Sequence, residues 1–268
     1  MKCTSYGLTD IGCVRDSNQD SFLIHEKKGL YIVADGMGGH AAGELASSMA
    51  VKTIYDSYTG DDDPEMTVAD LSQVTDEHVI CERLRYAINR ASQAIREESL
   101  RRPGCRGMGT TAVVLAIEGG TAYLAHAGDS RAYLIRPEGI RRLTRDHTWV
   151  ADQMRAGLIT ESQAASSQFR NLLTRSVGQE MHVDSDCMSR RIQPDDRYLL
   201  CSDGLHGVVT DSEIYRVVRS RPPRQASEKL VEMARARGGP DNITVVIVSF
   251  ATDSEPLDEE ETTILDFE

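Results

Sequence analysis

The 268-residue chain has no C-x-x-C pair, no excess of basic residues and no long apolar run, and each absence removes a class of function. Its six cysteines, Cys3, Cys13, Cys81, Cys105, Cys187 and Cys201, are scattered without metal-ligand spacing. Neither a zinc site nor a disulfide framework is expected from them, and they read as small packing residues. With 30 basic against 42 acidic residues the formal charge is −12, which repels nucleic acid and anionic membranes as partners. No stretch approaches the roughly 20 apolar residues of a membrane span, and the opening MKCTSYGLTD has no apolar stretch of signal-peptide length, so the cytoplasm is the expected location. Gly36-Met37-Gly38-Gly39 lacks the Lys-Ser/Thr of a nucleotide P-loop. Gly128-Asp129-Ser130 is followed by no Ser-His-Asp order that suits a serine hydrolase.

What is present is a set of six aspartates, each beside a glycine or in a short polar turn: Asp16 and Asp20 in RDSNQD, Asp35 in YIVADGMGGH, Asp129 in AHAGDSRAYL, Asp203 in LLCSDGL and Asp241 in GGPDNITVVIV. The apolar runs 31–34, 122–126 and 198–201 predict buried strands. Asp35, Asp129 and Asp203 then fall where a strand ends, and Asp241 falls just before one. Any one Asp-Gly is better read as a hairpin turn. Several together at one sheet edge repel one another unless hard cations sit among them, and all-oxygen ligands suit Mg²⁺ or Mn²⁺.

At this length, and with 40% hydrophobic residues, the chain holds one large domain with a sizeable core. Helical periodicity predicts helices near 42–55 and 76–101, the first on the face Leu45, Met49, Ala50, Thr53 and Ile54. The acidic segment 60–75 between them reads as an exposed loop. Strands are expected at 110–117, 121–126 and 131–135, an antiparallel meander. Asp146-His147-Thr148, capping a helix through Met154, and the pair Thr160 and Gln163 mark short capped helices, Thr210 with Glu213 opens another toward Arg219, and one more runs near 225–237 before a β-branched strand at 243–250. The remainder, 251–268, reads as an acidic disordered tail in which Thr262 and Thr263 stand as candidate phosphorylation sites; an idle solubilising tail is the alternative.

The ordered set Val14-Arg15-Asp16-Ser17-Asn18-Gln19-Asp20, Asp35-Gly36-Met37-Gly38-Gly39-His40, Gly109-Thr110-Thr111, Gly128-Asp129-Ser130-Arg131, Ser202-Asp203-Gly204 and Asp241-Asn242-Ile243-Thr244 resembles the bacterial branch of the metal-dependent (PPM, type 2C) serine/threonine protein phosphatases. The likeness runs from about Tyr6 to Phe250. It implies an α+β domain over 1–250, a four-layer α-β-β-α sandwich with two central antiparallel sheets, a metal site at one end and a flap subdomain at about 146–178.

The resemblance also implies roles. Asp35 bridges two metals with the Gly36 carbonyl as a further ligand, Asp203 and Asp241 complete the first, Asp20 supports the second, and Asp129 serves a weaker third site. Two such ions turn a bridging water into a hydroxide that attacks phosphorus in line. Arg15 clamps the phosphoryl group, and the general acid is His40 or a metal-bound water, since Met37 stands where many relatives carry histidine. Gln19 replaces a glutamate found in other branches. His126 reads as a hydrogen-bonded core residue, and His206 is open between surface and site margin. The expected substrates are phosphorylated proteins and the expected partners a cognate Ser/Thr kinase and a forkhead-associated domain protein, with the enzyme a monomer. A pseudophosphatase scaffold and a phosphatase dedicated to a partner-switching regulator are the alternatives; the complete carboxylate set disfavours the first, and the lack of room for a sensor domain the second.

Overall fold

The computed structural model describes residues 1–60 and 76–251, with only the backbone of His40 and Asp76. The loop expected between the first two helices and the acidic tail with Thr262 and Thr263 lie outside the described residues, apart from Gly60 and Ala251. Among the described residues no helix is long and apolar enough to cross a membrane.

Two antiparallel sheets form the centre of the fold. The first holds β1 (Lys2–Asp10), β11 (Ile243–Ala251), β10 (Arg197–Cys201), β7 (Arg131–Arg136) and β8 (Gly139–Arg142), in that spatial order. The second holds β2 (Asp20–His25), β3 (Leu30–Met37), β5 (Ala112–Glu118), β6 (Thr121–Ala127) and β9 (Asp186–Arg191), with the short β4 (Gly109–Thr110) paired to the end of β3. Strands covered on both faces read as continuous apolar runs. In β3, Leu30, Ile32 and Ala34 face the helices while Tyr31 and Val33 face the other sheet, and all five are fully buried.

The helices form the outer layers. α1 (His40–Thr59) and α2 (Asp76–Arg101) cover the second sheet through Ala46, Ile54, Leu84, Ile88 and Ile95. α6 (Asp211–Ser220) and α7 (Pro223–Ala236) cover the first through Ile214, Val218, Leu230 and Ala234. Each fully buried Leu or Ile contributes about 2 kcal/mol of hydrophobic stabilisation. The result is the expected four-layer α-β-β-α sandwich. Short helices α3 (Trp149–Arg155), α4 (Glu161–Ala165) and α5 (Asp203–His206) lie in the connections. Thr148 caps α3 by accepting from the Ala151 N–H, and Thr160 with Gln163 forms the predicted capping box on α4.

Three features differ from the sequence expectations. β3 does not stop at Asp35 but runs on through Met37, because Gly36 and Met37 pair with Thr110 and Gly109 of β4. The edge strands β8 and β9 were not anticipated: Gly-Ile-Arg-Arg and Asp-Cys-Met-Ser-Arg-Arg are too polar to signal a strand. Cys81 of α2 and Cys187 of β9 are joined in a disulfide with Cα atoms 5.9 Å apart, so two of the six cysteines are not free packing residues. Their separation of 106 residues leaves no spacing signal.

A buried ion pair secures the turn at the far end of the sandwich. Asp196 is fully buried; its carboxylate accepts from Arg136 Nε at 2.7 Å, Arg136 Nη2 at 3.0 Å and the Gln193 N–H at 2.9 Å. Arg136→Ala leaves that carboxylate without its cation, and we expect a loss of about 3 kcal/mol, read as a lowered denaturation midpoint with an unchanged slope. A loss under about 0.5 kcal/mol, the range of ordinary surface substitutions, would show that the pair is not holding the turn.

Candidate metal centre

Strand register brings the carboxylates together. Asp20 opens β2 directly opposite Asp35 of β3, an arrangement that like charges disfavour. Asp203 begins α5 two residues past the end of β10, and Asp241 sits two residues before β11, the strand paired to β10. Asp129 occupies the turn between β6 and β7. Asp35, Asp203, Asp129 and Asp241 lie near enough that their charges act on one another. Asp16, by contrast, is exposed and stays out of the set.

The backbone around Asp35 is tied down on every side. Its N–H donates to Thr111 Oγ1 at 2.9 Å, while its carbonyl accepts from the Thr111 N–H at 2.8 Å and Thr110 Oγ1 at 2.9 Å. Gly36 is required by close approach: a Cβ there would meet the Gly43 carbonyl oxygen at 2.1 Å and that of Gln19 at 2.6 Å. The Asp129 turn is held from two histidines. His206 donates from Nε2 to the Asp129 carbonyl at 3.0 Å, and the Gly128 N–H donates to His147 Nδ1 at 3.2 Å. His206 therefore lies against the Asp129 turn rather than on open surface.

Asp20 is anchored by hydroxyls that sequence reading missed. Its Oδ2 accepts from Ser202 Oγ and from Thr244 Oγ1, both at 2.7 Å, whereas Oδ1 is buried with no partner. Asp203 Oδ1 is likewise buried and unpartnered. Ser202 and Thr244 stood inside the quoted motifs, but nothing in a linear string says that a hydroxyl from the residue that follows β10 and another from β11 meet a carboxylate of β2. Asn242 is the other omission. It accepts the Gln19 N–H at 2.8 Å and donates to the carbonyls of Ile11 at 2.9 Å and Ser17 at 3.0 Å, fastening the loop that carries Arg15.

The electrostatics expose the cost of this packing. Burial, with repulsion from Asp203 and Asp241, raises Asp20 to about 7 despite its two hydroxyl donors. Burial and Asp203 push Asp129 up to about 7, and burial with Asp241 pushes Asp203 up to about 6. Asp35 goes well above the usual carboxylate range through burial and the charges of Asp20 and Asp203. Mutually repelling, partly to fully buried carboxylates with two orphaned oxygens make a hard, all-oxygen donor set, which fits divalent Mg²⁺ or Mn²⁺.

Arg15 lies at the rim, half exposed, with Nη2 2.7 Å from Asp241 Oδ2. His40 is the first residue of α1, but its side chain falls outside the described part of the structure. His126 is hydrogen-bonded as expected, its Nε2 lying 2.9 Å from the Arg145 carbonyl. It stacks on His147 at 4.7 Å, and the donor atoms of His126, His147 and Asp186 lie within 4.8 Å of one another. A guanidinium already serves that second cluster: Arg175 Nη1 is 2.9 Å from Asp186 Oδ1 and 3.4 Å from His147 Nε2.

Comparison with known proteins agrees with this geometry. The profile of the family "Protein phosphatase 2C" matches residues 9–156. The chain is 36% identical over 240 residues to the serine/threonine protein phosphatase PstP of Mycobacterium tuberculosis, covering 89% of this chain but only 43% of that protein. It is 36% identical over 246 residues to the protein phosphatase PhpP of Streptococcus pneumoniae, covering 90% of this chain and 95% of the relative. The solved catalytic domain of PstP in complex with two manganese ions superposes with a TM-score of 0.78 at 33% identity, over 93% of this chain and 99% of that one.

The raised carboxylates define a pH dependence. Their folded-state pKa values exceed the unfolded value of about 3.9, so they leave stability intact below about pH 4 and subtract from it as pH rises through 6 to 7. A bound divalent cation removes the subtraction. The melting temperature gained on adding Mn²⁺ to chelator-treated protein should therefore widen between about pH 5 and pH 8. A gain that is flat or shrinks over that range would contradict the buried, mutually repelling cluster.

Proposed function

As the chain belongs to the protein phosphatase 2C family, we propose that it is a metal-dependent phosphatase that hydrolyses phosphoserine and phosphothreonine on proteins. The observation that carries this reading is the corner shared by Asp20, Asp35, Asp129, Asp203 and Asp241, with Asp20 Oδ1 and Asp203 Oδ1 buried and unpaired. Asp35, Asp203, Asp241 and the Gly36 carbonyl would hold one divalent ion, Asp35 with support from Asp20 a second, and Asp129 a weaker third. When bound, such ions neutralise the phosphate dianion and make water nucleophilic near neutral pH.

The chain's own groups supply the rest. Arg15 leaves one fork of its guanidinium on Asp241 and turns the other toward the phosphoryl oxygens, which it matches in geometry and charge. An oxygen of water bonds to phosphorus as the bond from phosphorus to the serine or threonine oxygen breaks. His40, at the mouth of the glycine turn, gives a proton to that departing alkoxide. The turn itself is fixed by Gly36 against Gly43, so the reacting group meets a rigid floor. Residues 146–178 serve as the flap beside the Asp129 turn, to which His147 ties them.

We assign the enzyme to the cytoplasm, as a monomer that reverses a Ser/Thr kinase, with a forkhead-associated domain protein as a further partner. The net charge of −12 supports phosphoprotein over nucleic acid as substrate, because it disfavours long polyanions while the metals act locally.

Hydrolysis of a phosphothreonine peptide should vanish with chelator and return with Mn²⁺ or Mg²⁺. Asp35→Ala should lower kcat by at least about a hundredfold with the circular dichroism spectrum unchanged. Full turnover by metal-stripped protein, or an active Asp35→Ala variant, would sink the assignment. Asp129→Ala should slow turnover while calorimetry still counts two bound metals; loss of all metal would move Asp129 into the primary set.

A further inference from the structure

One side of the sandwich is closed by β1 lying on β2, so the opposite side ends on β8 and β9, edge strands of different sheets. Between them opens a cavity of about 300 Å³, lined by Leu124, His126, Leu143, Arg145, Asp186 and Met188 among others. Side-chain alternation sorts what faces into it. Arg141 of β8 stands opposite Leu134, and Met188 of β9 opposite Leu124, both residues of the core between the sheets. At the same period Arg141, Leu143 and Arg145 come from one edge, and Asp186, Met188 and Arg190 from the other.

The cavity has Leu124, Leu143 and Met188 as apolar lining with Arg85 and Arg145 beside them, and Arg141 and Arg190 stand on the same two edges next to it, in a chain whose net charge is −12. Asp186 is answered by Arg175 at 2.9 Å, and Arg142, on the other face of β8, lies 3.4 Å from Asp146. Arg141, Arg145 and Arg190 make no ion pair among the described residues, and Arg190 Nε is buried without a hydrogen-bond partner. Two unpaired strand edges, an apolar floor and three uncompensated guanidiniums together specify an extended, acidic segment with apolar residues at intervals.

We propose that this groove docks the chain's own acidic segment, residues 252–268. That segment carries eight acidic residues and no basic one, with Leu257, Ile264, Leu265 and Phe267 spaced among them. It departs from the right place: the Phe250 N–H donates to the Asp196 carbonyl at 3.0 Å, and the Asp195 N–H donates to the Phe250 carbonyl at 2.8 Å, in the link that follows β9. From Ala251 the groove lies a few strand spacings of about 4.8 Å away, and seventeen residues reach at most about 60 Å. The other acidic stretch, 61–75, falls in the chain between α1 and α2, the helices that cover the outer face of the second sheet.

Hydrogen exchange on the full chain tests this. Changing Asp258, Glu259, Glu260 and Glu261 to their amides should speed exchange at β8 and β9 by about tenfold, the scale of several exposed ion pairs acting together. Arg141→Glu with Arg190→Glu should give the same increase, and roughly 0.5 M salt should reproduce it in the native chain. The tail substitutions touch no described strand or helix, so they decide the matter even if the arginine variant fails to fold. Equal exchange at both edges in native and tail-variant protein overturns the docking. So does protection that grows with protein concentration, which gives the groove to a second copy, or protection lost only on neutralising Asp61, Asp62 and Asp63, which gives it to the loop.

Discussion

Five carboxylates crowded into one corner, Asp20 buried and the other four partly so, set the terms for the rest of this molecule. Like charges out of water raise one another's pKa, and Asp20, Asp129 and Asp203 all rise to the neutral range. A free chain would relieve this by moving apart. Here each aspartate is fastened to an element that cannot move: Asp20 and Asp35 by strand register, Asp203 by the start of α5, and Asp129 by a turn held from His147 and His206. The repulsion is stored until cations enter.

The fastening is done by small hydroxyl and amide groups rather than by bulk. Ser202 and Thr244 hold Asp20 from the first sheet, so one carboxylate of the second sheet is locked to both halves of the sandwich. Thr111 grips Asp35 from below and bonds in turn to Ser130 at 2.7 Å, next to Asp129. Asn242 ties the Arg15 loop to the strand that follows Asp241. A displacement of one sheet against the other would be felt at every ligand together, which is the pre-organisation a metal-dependent hydrolase needs.

The sandwich also separates two kinds of edge. At the ligand end, strand termini converge and negative charge accumulates. At the β8–β9 side, backbone edges remain unpaired and arginine collects, against the sign of the whole chain.

The amino-acid sequence by itself determined which stretches become buried strands and long helices, and that aspartates recur at strand ends. Continuous apolar runs in 31–34, 122–126 and 243–250 specify buried strands, helical periodicity in 76–101 specifies α2, and the recurrence of aspartate beside glycine or in polar turns at strand ends marks where carboxylates can gather. These are local signals, legible because a strand or helix repeats within a few residues. Only the tertiary structure decided what meets across the sheets. It placed Ser202 and Thr244 on Asp20, bound His206 to the Asp129 turn, joined Cys81 to Cys187, and made edge strands of the polar segments Gly139–Arg142 and Asp186–Arg191. The physical reason is distance along the chain. A hydroxyl 182 or 224 residues from its carboxylate leaves no periodic trace, and an edge strand takes its shape from its paired neighbour rather than from its own side chains.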